Sequence, residues 1–235
     1  MKIRELIHKI HVALLRILGR RKMIGKTRTN IRAEIDTQYE ILSQMIEDIA
    51  VHYQEEVHDF EQKVNTIAEE DSRGDYERKS SILKSFDEAQ ERYSLMLYEA
   101  RKILFCSIFS YLESMLYGLA SYFKIPIGKT NQVGQIIEKI VEMSTEKLDF
   151  SSNKDIICDF YRPLRNKYMH GHLGSENDKR SLQYYADKDE RIGTLSGYFE
   201  ITDNAFLWDA LNRVNTFLIC IEDTYVKNNR RRIEK

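Results

Sequence analysis

Apolar residues recur along this chain at intervals of three, four and seven, the spacing that lays a stripe down one side of an α-helix. From Ile31 the positions Ile35, Leu42, Ile46, Ile49, Tyr53, Val57, Phe60, Val64 and Ile67 keep this period and predict one helix to about Glu70. At about 1.5 Å per residue it would span roughly 60 Å. Asp71-Ser72-Arg73-Gly74-Asp75 supplies a turn, and a second stretch with Ile82, Phe86, Ala89, Tyr93, Leu97 and Ala100 feeds directly into an apolar helix ending near Phe123. So short a connection makes the two helices neighbours, which predicts an antiparallel helical hairpin, with coiled-coil association with a partner as the alternative.

Further on, Val133, Ile136, Ile137, Ile140 and Val141 mark a helix capped by Thr130 or Asn131. Another carries Ile156, Ile157 and Phe160 into Tyr161-Arg162-Pro163-Leu164-Arg165-Asn166-Lys167-Tyr168-Met169-His170-Gly171. Pro163 either starts a new helix at its first turn or kinks a continuous one, and both leave Arg165 to His170 helical. Leu182 to Tyr185 and Tyr198 to Ile201, joined through Arg191-Ile192-Gly193, read as a small β-hairpin. A last helix with Phe206, Leu207, Leu211, Val214, Phe217, Leu218 and Ile221 runs into the basic Arg230-Arg231-Arg232.

Composition narrows the fold class to all-α. Ten glycines and two prolines in 235 residues are too few for the turns of a sandwich, barrel or doubly wound sheet. The 21 residues from Ile103 to Phe123 hold a single charge, Glu113, and approach the length of a membrane span. Four serines, several tyrosines and the central charge favour instead the buried central helix of a bundle, with no integral membrane association. Cys106, Cys158 and Cys220 are odd in number and far apart, without a disulfide framework or zinc spacing, so a reducing, cytoplasmic setting is expected. No secretory signal is expected either, because Arg16 interrupts the first apolar run.

Net charge is −1 but unevenly spread: residues 1–29 sum to +8 and residues 34–71 to −11. In the basic part Ile3, Leu6, Ile7, Ile10, Leu14, Ile17 and Leu18 recur at helical spacing. Such an amphipathic helix could dock on the acidic stretch, lie on an anionic membrane surface or help hold nucleic acid.

The polar residues richest in chemistry lie between Phe160 and Gly171, where Arg162, Arg165 and Lys167 stand with no acid among Arg162 to His170. On a helix Asn166 and His170 share a face, with Arg162 one turn before Asn166 and Arg165 beside them. An imidazole for proton transfer, guanidinium forks for phosphate and an orienting amide suit RNA cleavage without a metal or cofactor. One chain supplies a single set where two proton transfers are needed, which favours a symmetric dimer with the two helices facing each other. A plainer reading has Arg165 and His170 neutralise a helix C-terminus that Gly171 stops.

The stretch Arg165-Asn166-x-x-x-His170-Gly171, at the end of a late helix, resembles the signature of the HEPN superfamily, all-helical domains that include many metal-independent ribonucleases. The resemblance spans roughly residues 99–227, including Phe109-Ser110-Tyr111-Leu112-Glu113 and the closing helix around Trp208. It implies an endoribonuclease of the toxin or antiviral-defence type, with Arg165 on the scissile phosphate, His170 handling protons, Asn166 positioning them, and RNA and a regulatory or antitoxin protein as partners. Inactive family members acting as interaction or nucleotide-binding modules are the alternative. Arg162 and Lys167 are added as phosphate-binding residues on helical geometry and charge, Glu113 as a partner for one of the cations, and His172 as a second histidine register. The organisation expected is an N-terminal helical extension over 1–92 serving oligomerisation or regulation, a HEPN-like helical bundle over 93–228 and a basic tail over 229–235.

Overall fold

A computed structural model describes residues 28–127, 133–143, 151–171, 175–195 and 198–233. The amphipathic segment before residue 28, the helix cap at Thr130 or Asn131, and His172 lie outside them. The fold is all-α with one two-stranded sheet.

Helix α1 (Arg28–Ser72) ends at a turn in which Arg73 and Gly74 take left-handed φ angles of 49° and 85°, and α2 (Tyr76–Ser85) follows. Asp75 caps α2, its carboxylate accepting from the backbone N–H of Glu77 at 2.9 Å and of Arg78 at 3.2 Å. The second arm of the hairpin is not one helix, as the periodicity predicts, because Phe86 interrupts it before α3 (Asp87–Tyr122). Its ring packs edge-on against Phe60.

The apolar run inside α3 is the central helix of the body: Leu104 to Leu112 is buried without a break, Ser107 and Ser110 returning their hydroxyls to the carbonyls of Ile103 and Cys106. By length and composition the α2–α3 stretch is long and apolar enough to cross a membrane, but 72% of its most apolar window is buried by protein. Helix α8 (Asn204–Ile233) and the first half of α1 flank it, α8 contributing Phe206, Leu207, Leu211, Val214, Phe217 and Leu218 to the same core. Residues 229–233 of the expected basic tail continue this helix, whose backbone stays helical to Ile233. Polar ties fix the three helices in register. The Tyr111 hydroxyl bridges the Ile35 carbonyl at 3.3 Å and Asn215 at 3.0 Å, Tyr39 reaches Asn212 at 2.7 Å, and Arg32 pairs with the buried Glu222 at 3.3 Å.

That packing moves the boundary expected at residue 92. Ile31, Ile35, Leu42, Met45, Ile46 and Ile49 belong to the one core cluster that also holds α3 and α8, so the start of α1 is part of the body. Helix periodicity reports a buried stripe without saying what buries it. The projecting part is the hairpin beyond about residue 51, where α2 has no buried residue.

Four short helices complete the body: α4 (Val133–Met143), α5 (Ser151–Asp155), α6 (Arg162–His170) and α7 (Glu176–Ala186). The β-hairpin is present, but its first strand is β1 (Ile192–Leu195), paired antiparallel with β2 (Tyr198–Ile201) so that Ile192 faces Ile201. Leu182 to Tyr185, expected as that strand, lies in α7, where Leu182 and Ala186 are four apart and both buried. Arg191 secures the hairpin's base through ion pairs to Asp189 and Asp209.

Candidate functional site

The site is built on α6, and the chain enters and leaves it by unusual geometry. Ile156–Tyr161 forms a π-helical turn, closed by the Arg162 N–H bonding the Ile157 carbonyl. Pro163 falls in the first turn of α6 and has no N–H to give. Continued in the π register, that N–H would have met the Cys158 carbonyl, and there the Arg162 Nε donates instead, at 3.1 Å. At the other end Gly171 has φ +72° and closes the helix on the Lys167 carbonyl at 2.9 Å, a left-handed stop that glycine adopts without strain.

One side of α6 is anchored. Leu164 is fully buried, and Tyr161 and Tyr168 both set their rings edge-on against Phe105. Burial pushes the Tyr168 phenol well above its usual range, so it is no base at neutral pH. Arg165 borders that side next to α3, and Asn166, Met169 and His170 turn away from it. Asn166 and Arg165 are half-buried, whereas Met169 and His170 are exposed.

Arg165 is held from three directions. Its Nη1 donates to the Asn166 side-chain carbonyl at 3.2 Å, its Nη2 lies 3.8 Å from a Glu113 oxygen, and its guanidinium carbon is 5.9 Å from the Phe109 ring centre. Its Nε is buried and has no hydrogen-bond partner among the described residues. The separation from Glu113 is long for an ion pair, and both side chains keep solvent contact, so the guanidinium is oriented without being locked. Asn166 directs its side-chain carbonyl to Arg165.

Not every expected residue serves this face. Arg162, expected to bind phosphate, pairs at 2.8 Å with Asp178 in the first turn of α7. Counting charges only along α6 overlooks an acid that folding brings from another element, and Arg162 therefore joins α6 to α7. Lys167 donates to the Gly171 carbonyl at 3.2 Å with its ammonium 5.6 Å from the Tyr198 ring centre. Glu113 meets a cation as expected, half-exposed rather than buried. His170 lies on the solvent side of α6 and not in packed core.

Asp178 and Tyr198 stand by the site but are not singled out by the sequence pattern. The Ser175-x-x-Asp178 spacing, with the serine hydroxyl accepting the Asp178 N–H at 3.1 Å, marks a helix start that could have drawn notice to the acid. Tyr198 has no signal beyond its place in an expected strand.

The cysteines offer no competing nucleophile near α6. Burial pushes the Cys106 thiol up to about 11 against the pull of Arg165 and Lys102, and the Cys158 thiol likewise to about 11. Among the described residues no group of three or more His, Cys, Asp or Glu side chains could hold a metal ion. A concavity of about 450 Å³ lined by residues 186–192 contains Arg191, but its charge is met by Asp189 and Asp209, so it does not suit an anion.

Comparison of the chain with protein-family models, with curated proteins and with solved structures finds no match. The class that sequence and geometry define is an all-α protein with a polar, half-open face on a late, glycine-stopped helix.

Proposed function

We propose that this chain is a metal-independent endoribonuclease of the HEPN type, active as a homodimer with the Arg165/His170 helices facing each other, and a toxin or antiviral-defence effector in the cytoplasm. The observation that carries the reading is the arrangement on α6: a guanidinium oriented by Asn166 and Glu113, and an exposed imidazole one turn after Asn166, beside a helix end fixed by Gly171. In the proposed reaction the ribose 2′-oxygen attacks phosphorus, one His170 takes its proton and the His170 of the second copy protonates the departing 5′-oxygen. The products are a 2′,3′-cyclic phosphate and a free 5′-hydroxyl. Arg165 neutralises the charge gathering on the phosphorane oxygens, a role for which its planar, permanently charged fork is suited.

Purified protein is expected to cleave single-stranded RNA in the presence of EDTA. Arg165→Ala and His170→Ala should each lower the rate at least about a hundredfold, in the range of losing one charge-stabilising or proton-transfer group, with the helical circular dichroism unchanged. Cleavage that requires a divalent ion, or that survives both substitutions, would reject the mechanism.

One observation favours a second reading, a catalytically silent interaction or nucleotide-binding module. Arg165 is packed over Phe109 and paired with Glu113, as a structural arginine would be. Under that reading wild-type protein cleaves no RNA and Arg165→Ala loses stability, whereas active-site residues usually cost stability and their removal does not.

A further inference from the structure

Around α6 the polar face has two flanks. Arg165 adjoins α3 through Glu113 and Phe109, whereas Lys167 adjoins the β-hairpin through Tyr198. His170 lies three residues from Lys167 and four from Asn166, so it projects between the flanks. Tyr198 is 68% exposed, among the most open of the large side chains, yet the Lys167 ammonium 5.6 Å from its ring centre steadies it. The same ammonium donates to the Gly171 carbonyl, which ties the ring to the helix end that bears His170.

We propose that Tyr198, steadied by Lys167, is a nucleobase-stacking subsite that seats a base of single-stranded RNA beside the phosphate held at Arg165 and His170. The assignment rests on the ribonuclease reading of that face and adds to it a side for the base. The Lys167 ammonium is engaged by the Gly171 carbonyl and the Tyr198 ring, and Glu200, two residues after Tyr198, shares the ring's outward strand face, so the hairpin flank attracts a phosphate less than it accepts an uncharged base. On the α3 flank the cation is Arg165, where a phosphate is favoured. An aromatic face accepts any base, so this subsite contributes affinity and register without reading sequence. Phosphate at the guanidinium and base on the tyrosine would orient the intervening ribose toward His170.

The test uses the full chain carrying His170→Ala, so that no cleavage intervenes, in EDTA with a ten-nucleotide single-stranded RNA containing one 2-aminopurine. Binding should quench the 2-aminopurine fluorescence. Tyr198→Ala should weaken binding about tenfold, within the range of one base–aromatic stack, and remove the quench, while Tyr198→Phe and Tyr198→Trp retain both. Because the ring is exposed, these variants should fold as the parent does. Unchanged affinity in Tyr198→Ala overturns the proposal, as does loss in Tyr198→Phe, which would assign the effect to the hydroxyl. A shift in sedimentation mass on Tyr198→Ala also overturns it, by placing the ring in a protein interface. The two readings fail separately: an intact quench with no cleavage by wild-type protein removes the ribonuclease alone, and cleavage without a Tyr198-dependent quench removes the subsite alone.

Discussion

The two halves of α1 carry the same apolar period into different surroundings. Over residues 31–49 the stripe lies against α3 and α8, and Ile35, Leu42 and Ile46 are completely buried. Over residues 51–72 the cover is thinner: Val64 and Ala68 are buried, but Val51 and Ile67 remain more than 40% exposed. The body is a three-helix sandwich around Tyr111. The arm is a hairpin closed by a half-buried cluster of Phe60, Phe86 and Tyr93, with Lys79 and Glu69 paired on its surface at 3.1 Å. A helix needs a stripe to be amphipathic, but the depth of burial, and with it the stabilisation per residue, depends on how many neighbours meet that stripe.

The widest contrast is expected in core truncation. Ile46→Ala should destabilise the protein by about 2–5 kcal/mol in urea unfolding, the range for emptying a fully packed site. Ile67→Ala, chemically identical, should cost under about 0.5 kcal/mol, because it removes surface that water already covers. Similar losses at the two sites would show that arm and body share one tightly packed interior, against the exposures seen here.

A gentler way to sharpen the comparison is to remove the arm. The Phe60 and Tyr93 rings lie 5.2 Å apart, so the chain passes side by side at these positions and a short flexible linker can replace residues 61–92. The shortened protein should fold, with its melting temperature within a few degrees of the parent's. A cut of the whole 1–92 segment should not fold, since it removes the α1 residues that cover α3 and α8. If the arm regulates the ribonuclease, its removal changes oligomeric state or cleavage rate, measured by sedimentation and by RNA cleavage in EDTA. A folded variant unchanged in both leaves the arm as a docking surface for another molecule.

The helices were legible in the sequence wherever periodicity alone decides: the start and end of α1, the buried α3, and Gly171 as the stop of α6. What periodicity could not show was pairing between elements. The Arg162–Asp178 bridge joins residues sixteen apart on two helices, and removes from the candidate site a guanidinium that local charge counting assigned to it. The strand at Ile192–Leu195 was obscured because a four-residue strand carries too few alternations to outweigh the apolar pair Leu182 and Tyr185 inside α7. Within the site, Arg165, Asn166 and His170 were visible as residue types at a spacing. That Asn166 engages Arg165 followed only from the fold.

The smallest expected effect is the most local. Asp75 accepts two backbone N–H groups at the start of α2, and replacing such a cap by alanine typically costs about 1 kcal/mol. That cost appears as global destabilisation only if α2 unfolds together with the body. Nothing in α2 is buried, and its neighbours are the distal half of α1 and the first turns of α3, so the arm has little apolar area binding it into the common transition. Asp75→Ala should therefore accelerate amide hydrogen exchange across residues 61–92 severalfold while leaving exchange in residues 104–119 and the unfolding midpoint nearly unchanged, as expected for a segment that opens on its own. Slow exchange throughout the arm, rising only in step with the body, would show one cooperative unit and place the boundary between the two regions in the wrong half of the molecule.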